Sequence, residues 1–222
     1  MAHAPFGTAP SAWRLYVIVD RAAIGDRDIV DVADAAIRGG ADVLQLRDKT
    51  ASARQLIEEA ARLHPLTSAA RIPLIINDRP DVARFIGAEG VHIGQDDVPI
   101  DAVRLMIESS GFIGKSTHSL PQALAAQAEG ADYIGLGPIF ATPTKPEYGS
   151  VGPELIHQVV PHLRIPIVCI GGLDGRTVER ALTAGARCVA VVRAVCAAND
   201  PEAATRQLKH TITQFVPLTA RS

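Results

Sequence analysis

A Gly-Ala step recurs four times along this chain, and each copy follows a helix-like pattern and precedes an apolar run. The copies are Gly40-Ala41-Asp42, Gly87-Ala88-Glu89, Gly130-Ala131-Asp132 and Gly185-Ala186-Arg187. Glycine at such a junction is typical of a helix end, because it adopts the left-handed backbone conformation without strain. The recurrence therefore indicates a chain built from repeated helix-to-strand units.

Eight short apolar runs alternate with eight segments of helical period. The predicted strands span 15–19, 43–47, 73–77, 90–94, 112–116, 133–137, 166–170 and 188–192. The predicted helices span 28–38, 51–64, 80–87, 100–109, 120–129, 153–161, 175–184 and 201–215. This alternation predicts an α/β fold, the (β/α)8 TIM barrel, whose size range includes 222 residues. An open doubly wound sheet is the alternative, but it usually has fewer strands and leaves the four recurrences unexplained.

Composition excludes several classes of partner. The 22 basic and 24 acidic residues give a formal charge of −2, which argues against nucleic acid or a membrane surface as the main partner. The longest apolar runs, such as 165–173, are far too short to span a membrane, and the N-terminus lacks a signal-peptide pattern, so we expect a cytoplasmic protein. We expect a flexible segment over 1–13, a single catalytic barrel over 14–216 and a tail over 217–222. The sequence leaves open whether the protein forms a homodimer.

The three cysteines do not suggest a disulfide or a metal site. Cys169, Cys188 and Cys196 are odd in number and lack the spacing of metal ligands. Two of them lie in apolar, strand-like runs, where a free cysteine behaves as a small buried hydrophobic residue. The sequence therefore predicts buried free thiols.

The second predicted strand carries polar residues on one face. Gln45, Arg47 and Lys49 stand two positions apart, and side chains at that spacing emerge on the same side of a strand. Two cations and an amide directed the same way need solvent or an anion, and a phosphate or diphosphate would satisfy them best. Solvated charges at a strand end are the alternative interpretation.

The next strand ends supply carboxylates. In a barrel of this kind the active site gathers where strands end and their loops begin. Asp78 follows the third strand and Asp97 follows the fourth, and paired carboxylates make an oxygen site suited to Mg²⁺. The alternative is that both residues cap the helices that follow them. The fifth strand ends in Ser116, Thr117 and His118.

A second anion site is predicted at the last two strand ends. Gly171-Gly172 follows the seventh strand and Val192-Arg193 the eighth, at the loops that often bind phosphate in these barrels. The long loop over 138–152 contains Thr142, Thr144 and Lys145, so it is either a lid over a phosphorylated ligand or a mobile surface loop.

The motifs QLRDK, IINDR, VHIGQDD, GKSTHS, GLGPIFATPTK and IGG, in that order, resemble the thiamine-phosphate synthase family over residues 15 to 210. The resemblance implies a transferase of thiamine biosynthesis, thiamine-phosphate diphosphorylase. Such an enzyme joins 4-amino-2-methyl-5-hydroxymethylpyrimidine diphosphate to 4-methyl-5-(2-hydroxyethyl)thiazole phosphate, or to its carboxylated form with loss of CO2. The products are thiamine phosphate and pyrophosphate, and the substitution is dissociative and assisted by Mg²⁺.

The resemblance also implies roles for individual residues. It assigns one Mg²⁺ per subunit to Asp78 and Asp97, and a catalytic role to Arg47, Lys49, Ser116 and Lys145. The implied substrate-binding residues are Gln45, Leu46, Arg47, Asp48, Lys49, Asn77, Ser116, Thr142, Pro143, Thr144, Lys145, Gly172, Val192 and Arg193.

Three positions need separate interpretation. The implied mechanism requires no general base, so we expect His92 and His118 to form hydrogen bonds or pack rather than to carry protons. Arg193 departs from the family pattern, in which a small residue is common at this position. Its backbone could still bind phosphate.

Three rival functions are compatible with parts of this pattern. A thiazole tautomerase would not need the full set of cations and carboxylates. A sugar-phosphate epimerase would need a proton-abstraction site and no cationic strand. A non-catalytic regulator on the same scaffold could keep the phosphate sites and lack turnover.

Overall fold

Eight parallel strands form a closed barrel in the computed structural model, which describes residues 8–107, 110–142 and 149–216. Each strand pairs with the next one along the chain, and the last pairs with the first. The strands are β1 (Leu15–Asp20), β2 (Val43–Arg47), β3 (Leu74–Asn77), β4 (Gly90–Ile93), β5 (Phe112–Thr117), β6 (Tyr133–Leu136), β7 (Ile167–Ile170) and β8 (Cys188–Val191). The (β/α)8 fold predicted from the sequence is confirmed.

Helices surround the barrel and connect its strands. They are α1 (Arg21–Ile24), α2 (Ile29–Arg38), α3 (Ala53–Ala70), α4 (Pro80–Ile86), α5 (Ile100–Met106), α6 (Leu120–Ala128), α7 (Glu154–Val159), α8 (Val178–Thr183), α9 (Arg193–Cys196) and α10 (Pro201–Phe215). Short 3-10 turns cover Pro10–Ala12 and Val160–His162. The apolar faces of the helices pack on the outer surface of the barrel in one continuous core.

The prediction that the second long helix ends just before Pro65 is wrong. Helix α3 continues through Pro65 to Ala70, although proline removes one backbone hydrogen bond. Its buried face, Leu56, Ala60, Leu63 and Thr67, recurs at helical spacing on both sides of the proline. Packing of this face on the barrel therefore outweighs the local cost of proline.

Two further differences lie near the ends of β7 and β8. The predicted helix over 175–184 begins only at Val178, because Asp174 and Thr177 first form a hydrogen-bonded turn with Asp174 N donating to Thr177 Oγ1 at 3.0 Å. The four-residue helix α9 after β8 was not predicted. Both differences lie at the carboxyl ends of the strands, where the backbone forms the site.

The recurring Gly-Ala step has a structural explanation. In its first three copies the acidic residue accepts a hydrogen bond from a backbone amide at the start of the preceding odd-numbered strand. Asp42 Oδ2 accepts from Leu15 N at 2.9 Å, Glu89 Oε2 from Leu74 N at 2.8 Å and Asp132 Oδ2 from Ile113 N at 2.7 Å. The acids therefore fasten β1, β3 and β5 at the amino end of the barrel, whereas the fourth copy carries the exposed Arg187.

Replacing Asp132 by alanine is expected to lower the free energy of unfolding by about 1–3 kcal/mol, the cost of leaving a buried amide unsatisfied. The Asp132 carboxylate also accepts from Arg104 Nη2 at 2.7 Å, and this contact would be lost too. Arg187→Ala, at the matching position of the fourth copy, is the control and should change stability by less than about 0.5 kcal/mol. Urea unfolding of the two variants checks this. Equal losses of unfolding free energy in the two variants would contradict the role of Asp132 in holding β5.

His64 gives the stability a pH dependence. Its pKa is raised chiefly by a hydrogen bond to Glu89, with Nε2 and Oε1 3.4 Å apart, although burial opposes the increase. A raised folded-state pKa means that protonated His64 favours the fold. This contribution is complete below the unfolded pKa, near 6.5, and is lost as the pH rises through the higher folded value. We expect thermal unfolding of wild type and His64→Gln to differ more at pH 5.5 than at pH 8.5; a pH-independent difference would contradict this.

An aromatic plug closes the amino end of the barrel. Trp13 is fully buried and lies edge-on to Tyr16 and Tyr133, with ring centroids 5.8 and 5.2 Å away. The indole Nε1 donates to Thr8 O at 2.9 Å. Trp13 therefore belongs to the folded barrel, although the expected domain boundary left it in the flexible segment. Since described side chains fill this end, we expect a ligand to enter from the carboxyl ends of the strands.

Two sequence predictions about other features can be compared with the structure. All three cysteines are buried and free, as predicted, and burial raises the pKa of each thiol. None of the helices in the described ranges has the length and apolar character needed to cross a bilayer.

Candidate active site

A cavity of about 730 Å³ opens at the carboxyl ends of the strands. Of the residues proposed from the sequence, its lining includes Gln45, Arg47, Asn77, Ser116, Thr142, Gly172, Val192 and Arg193. These residues come from five strand ends and the loop after β6, so the barrel closure brings together positions far apart in the sequence. A volume of this size is typical of small-molecule sites.

Several other candidates lie beside the cavity or outside the described residues. Leu46 is fully buried in the outer core, so only its backbone is available to a ligand. Asp48 Oδ1 accepts from Thr50 N at 2.8 Å and so shapes the loop after β2. Pro143, Thr144 and Lys145, and most of the predicted lid, fall outside the described residues.

Arg47 has a buried partner that the sequence interpretation missed. The strand register places Asp20, at the end of β1, opposite Arg47, and Asp20 Oδ2 accepts a hydrogen bond from the guanidinium. The side chain of Asp20 is 3% exposed and that of Arg47 is 15% exposed. Asp20 Oδ1 also accepts from Ala22 N at 2.9 Å, which fixes the carboxylate. The guanidinium is therefore held at the rim of the cavity with N–H groups still available.

Lys49, Asp78 and Asp97 form a cluster of charges next to Asn77. Lys49 Nζ donates to Asp78, and Asp97 Oδ2 accepts from Gly94 N at 2.6 Å. The pKa of Asp97 is raised by burial and by the neighbouring Asp78 carboxylate, although the Gly94 amide and Lys49 oppose this. Two carboxylates thus lie side by side with one lysine.

The helix-capping alternative for Asp78 and Asp97 is wrong. Helix α4 has Arg79 at its N-cap and α5 has Pro99, and neither N-cap has a side-chain hydrogen bond to its helix. Asp78 adopts a φ of +60°, a conformation uncommon for a residue other than glycine. Such strain concentrates at functional sites and accords with a carboxylate directed by something other than helix capping.

Both histidines near the strand ends form hydrogen bonds, as predicted. His92 Nε2 lies 3.0 Å from Ser116 Oγ, and its Nδ1 lies 3.2 Å from the hydroxyl of Tyr133. His118 Nδ1 bonds to Gly137 O, and His118 N donates to Gln122 Oε1 at 2.7 Å.

Two glycines shape the opposite side of the cavity. Gly171 and Gly172 have φ values of +98° and +60°. A Cβ on Gly172 would lie 2.6 Å from Ala141 O and 2.7 Å from Phe140 Cβ, so the loop after β6 touches the end of β7. Thr177 Oγ1 donates to Gly172 O at 2.7 Å and holds this turn. The backbone here can approach a ligand more closely than any side chain would allow.

Two arginines lie on this side of the cavity, and one of them was not predicted. Arg180 on α8 stacks over the Phe140 ring at 4.7 Å, and Arg193 begins α9. Within the described ranges, neither has a carboxylate at ion-pair distance. Arg180 was missed because its helix position gives no sign of a cavity. Together they make this side positive, which suits a second anion.

Comparisons with known proteins identify the family of this chain. The family model described as thiamine monophosphate synthase matches residues 15–195. The chain belongs to the thiamine monophosphate synthase family. The resemblance and the transferase class predicted from the sequence are thereby confirmed.

Individual relatives of this family are similar over nearly the whole chain. The thiamine-phosphate synthase of Chloroflexus aurantiacus is 48% identical over 198 residues, covering 89% of this chain and 91% of that protein. That of Roseiflexus castenholzii is 45% identical, covering 87% and 86%. The solved thiamine phosphate pyrophosphorylase from Pyrococcus furiosus superposes with a TM-score of 0.86 at 33% identity, covering 93% and 98%.

A more distant solved structure shares the barrel alone. The N-acetylmannosamine-6-phosphate 2-epimerase from Clostridium perfringens has a TM-score of 0.64 at 15% identity, covering 97% of this chain and 98% of that one. A likeness at this level indicates the fold and does not favour the epimerase function among the rivals.

Proposed function

We propose that this protein binds a pyrimidine diphosphate at the Arg47 side of its cavity and a thiazole phosphate at the Gly172 side, and joins them with release of pyrophosphate. The observation that carries this assignment is the distribution of charge. Arg47 and Asn77 line one wall of the cavity, and Lys49, Asp78 and Asp97 form a cluster of charges beside them. The opposite wall has the glycine turn and two arginines without an ion pair in the described ranges. A diphosphate with a metal fits the first wall, and a monophosphate fits the second.

Asp78 and Asp97 are suited to hold one Mg²⁺ per subunit. Their oxygens are the hard ligands that this ion prefers, and Mg²⁺ usually binds one or two carboxylates together with substrate phosphates. Burial and the Asp78 carboxylate raise the pKa of Asp97, so these two groups repel each other in the absence of a cation. A divalent ion would relieve that repulsion. When bound, it would neutralise charge on the diphosphate.

The protein residues would stabilise the leaving group. In a dissociative substitution the bond to pyrophosphate breaks before the thiazole nitrogen attacks the pyrimidine methylene, so negative charge accumulates on pyrophosphate. Arg47, Lys49 and Lys145 would bind this charge most strongly as the bond breaks, and Ser116 would donate a hydrogen bond to it. Asp20 supports this step because it orients the guanidinium before substrate arrives. Gln45 and Asn77 would hold the pyrimidine diphosphate.

The monophosphate would bind at the glycine turn. The backbone at Gly172, Val192 and Arg193, with Thr142 and Thr144 from the loop over 138–152, would contact the thiazole phosphate. Helix α9 begins directly after Val192, and Val192, Arg193 and Ala194 line the cavity, so the backbone there would be available to the phosphate. The acceptor would be the thiazole phosphate itself or its carboxylated form with loss of CO2.

Gly172→Ala is expected to raise KM for the thiazole phosphate by about tenfold, the effect of losing roughly 1.4 kcal/mol of binding. The added Cβ would meet Ala141 O and Phe140 Cβ, and a φ of +60° is strained for alanine. Gly175→Ala is the control, because a Cβ there meets nothing within 4 Å. Initial rates with each substrate varied in turn provide the measurement. A rise in KM confined to the pyrimidine diphosphate would contradict the assignment of the two walls.

The remaining sequence expectations are part of this proposal. Residues 14–216, together with Trp13, would act as one catalytic domain, in a cytoplasmic enzyme that acts as a monomer or a homodimer. Small phosphorylated molecules, rather than nucleic acid or membranes, would be its partners.

The test is a product assay with purified protein, Mg²⁺ and both substrates. We expect thiamine phosphate and pyrophosphate in equal amounts, and none of either when Mg²⁺ is replaced by a chelator. A thiazole tautomerase would rearrange its substrate without pyrophosphate release, and a regulator would bind ligands without turnover. Either outcome would overturn the proposed function.

A further inference from the structure

A chain of four hydrogen bonds runs through the barrel beneath the cavity. Gln45 Nε2 donates to the Tyr16 hydroxyl at 2.7 Å, and the Tyr16 and Tyr133 hydroxyls are 3.1 Å apart. The chain continues from Tyr133 to His92 Nδ1 at 3.2 Å and from His92 Nε2 to Ser116 Oγ at 3.0 Å. It therefore connects two residues assigned to the pyrimidine diphosphate, Gln45 and Ser116, through three that have no assigned role.

The barrel makes room for this chain with two glycines. A Cβ on Gly114 in β5 would lie 2.1 Å from Tyr133 Cζ and 2.5 Å from His92 Nδ1. A Cβ on Gly135 in β6 would lie 3.1 Å from His92 Cε1. Any larger residue at Gly114 would displace the contact between His92 and Tyr133, so the imidazole is confined in its position by the neighbouring strands.

The number of protons on each group determines which group donates in each of these hydrogen bonds. An amide nitrogen can only donate, so the Tyr16 oxygen accepts from Gln45 and must donate its own proton elsewhere. Burial raises the pKa of Tyr16 and Tyr133, so each brings one hydroxyl proton at neutral pH. Within the described ranges, the acceptor available to the buried Tyr16 proton is the Tyr133 oxygen.

The same reasoning assigns the donors from Tyr133 through His92 to Ser116. Tyr133, having accepted from Tyr16, donates to His92 Nδ1, so the proton of the neutral imidazole is on Nε2. Nε2–H donates to Ser116 Oγ. The hydroxyl proton of Ser116 is consequently free to be donated into the cavity. The opposite direction would leave the buried Tyr16 proton without an acceptor and would direct the Ser116 proton at the histidine.

We propose that His92 is a positioning residue, which Tyr133 and Tyr16 hold as the Nε2–H tautomer so that Ser116 presents its hydroxyl proton to the departing pyrophosphate. The same direction leaves Gln45 Oε1 as an acceptor facing the ligand, where it can accept a hydrogen bond from an amino group. The catalytic part rests on the proposed role of Ser116, whereas the tautomer of His92 does not depend on any substrate.

The first test is the tautomer. Nitrogen-15 NMR of histidine-labelled enzyme without substrates, with the His92 signals assigned by their loss in His92→Gln, should give the neutral Nε2–H pattern. The Nδ1–H pattern would overturn the proposal, whether or not the enzyme makes thiamine phosphate. The tautomer is read from the wild-type spectrum, and His92→Gln serves only to assign the signals.

The second test is a matched pair of variants. In His92→Gln, the side-chain nitrogen of the glutamine can occupy the position of Nε2 and donate to Ser116. In His92→Asn, the side chain is shorter, so its nitrogen lies near the position of Nδ1 and cannot reach Ser116. We expect His92→Asn to lower kcat by about tenfold, the size of one lost hydrogen bond, with an unchanged KM for the pyrimidine diphosphate. His92→Gln should restore most of kcat. Equal losses in the two variants would indicate a purely structural residue and would contradict the proposal.

A double-mutant cycle isolates the contact with Ser116. If His92 acts only through that hydroxyl, Ser116→Ala should abolish the effect of His92→Asn, and the double variant should have the kcat of Ser116→Ala alone. Multiplicative losses would show that His92 acts by another route and would overturn its proposed action through Ser116.

Discussion

Arg47→Ala is expected to lower kcat by at least about a hundredfold, the scale of losing one donor to developing charge in a preorganised site. The guanidinium is 15% exposed and is held by the buried Asp20, so its N–H groups require little reorganisation when charge appears on the leaving group. Its removal would also leave the Asp20 carboxylate without its counter-charge. Steady-state rates with saturating substrates provide the measurement.

The control for this variant is Arg62→Ala. Arg62 on α3 also pairs with an aspartate, Asp28, but both side chains are about half exposed on the surface and neither lines the cavity. Exposed pairs of this kind contribute about 1 kcal/mol or less, so turnover should be unchanged. Normal kcat in Arg47→Ala would remove the basis for the diphosphate wall.

Asp97→Asn is expected to reduce turnover by at least about a hundredfold at a fixed Mg²⁺ concentration, because a neutral amide loses the charge that holds the ion. The asparagine oxygen can still accept from Gly94 N, so the loop after β4 should keep its fold. Raising the Mg²⁺ concentration should restore part of the activity. The measurement is a Mg²⁺ titration of kcat.

Asp101→Asn on α5 is the matched control, because Asp101 is exposed and, among the residues that the structure describes, its carboxylate accepts a hydrogen bond only from Ala102 N in its own helix. The kcat of Asp101→Asn should depend on the Mg²⁺ concentration as that of wild type does. If Asp97→Asn had the same dependence on Mg²⁺ as Asp101→Asn, the assignment of the metal to Asp78 and Asp97 would be wrong.

The fold was predictable because its signals are local. Each strand is a short apolar run, and each of the first three Gly-Ala steps combines a helix end with an acid that fastens a strand. The sequence predicted a helix that ends just before Pro65, whereas α3 and the packing of its buried face continue beyond the proline. Tertiary contacts of this kind cannot be seen in a window of the sequence.

The site was predictable only in part, for a related reason. Polar residues that follow apolar runs, such as Asn77 and Asp78, are visible as strand ends once the barrel is assumed. Asp20 is also a strand end, but nothing nearby in the sequence indicates that it faces Arg47, 27 positions later. Tyr133, inside an apolar run, reads as a core residue until the register places it beside His92. Partners that meet only through barrel closure need the three-dimensional structure.

The most direct test of the central claim is a crystal structure of the enzyme with Mn²⁺ in place of Mg²⁺ and with pyrophosphate. The anomalous signal of manganese should lie within about 2–2.5 Å of carboxylate oxygens of Asp78 and Asp97, close to the distances of hard-cation sites. Pyrophosphate should contact Arg47, Lys49 and Ser116 in the same map. A metal bound elsewhere, or pyrophosphate at the Gly172 turn, would contradict the account.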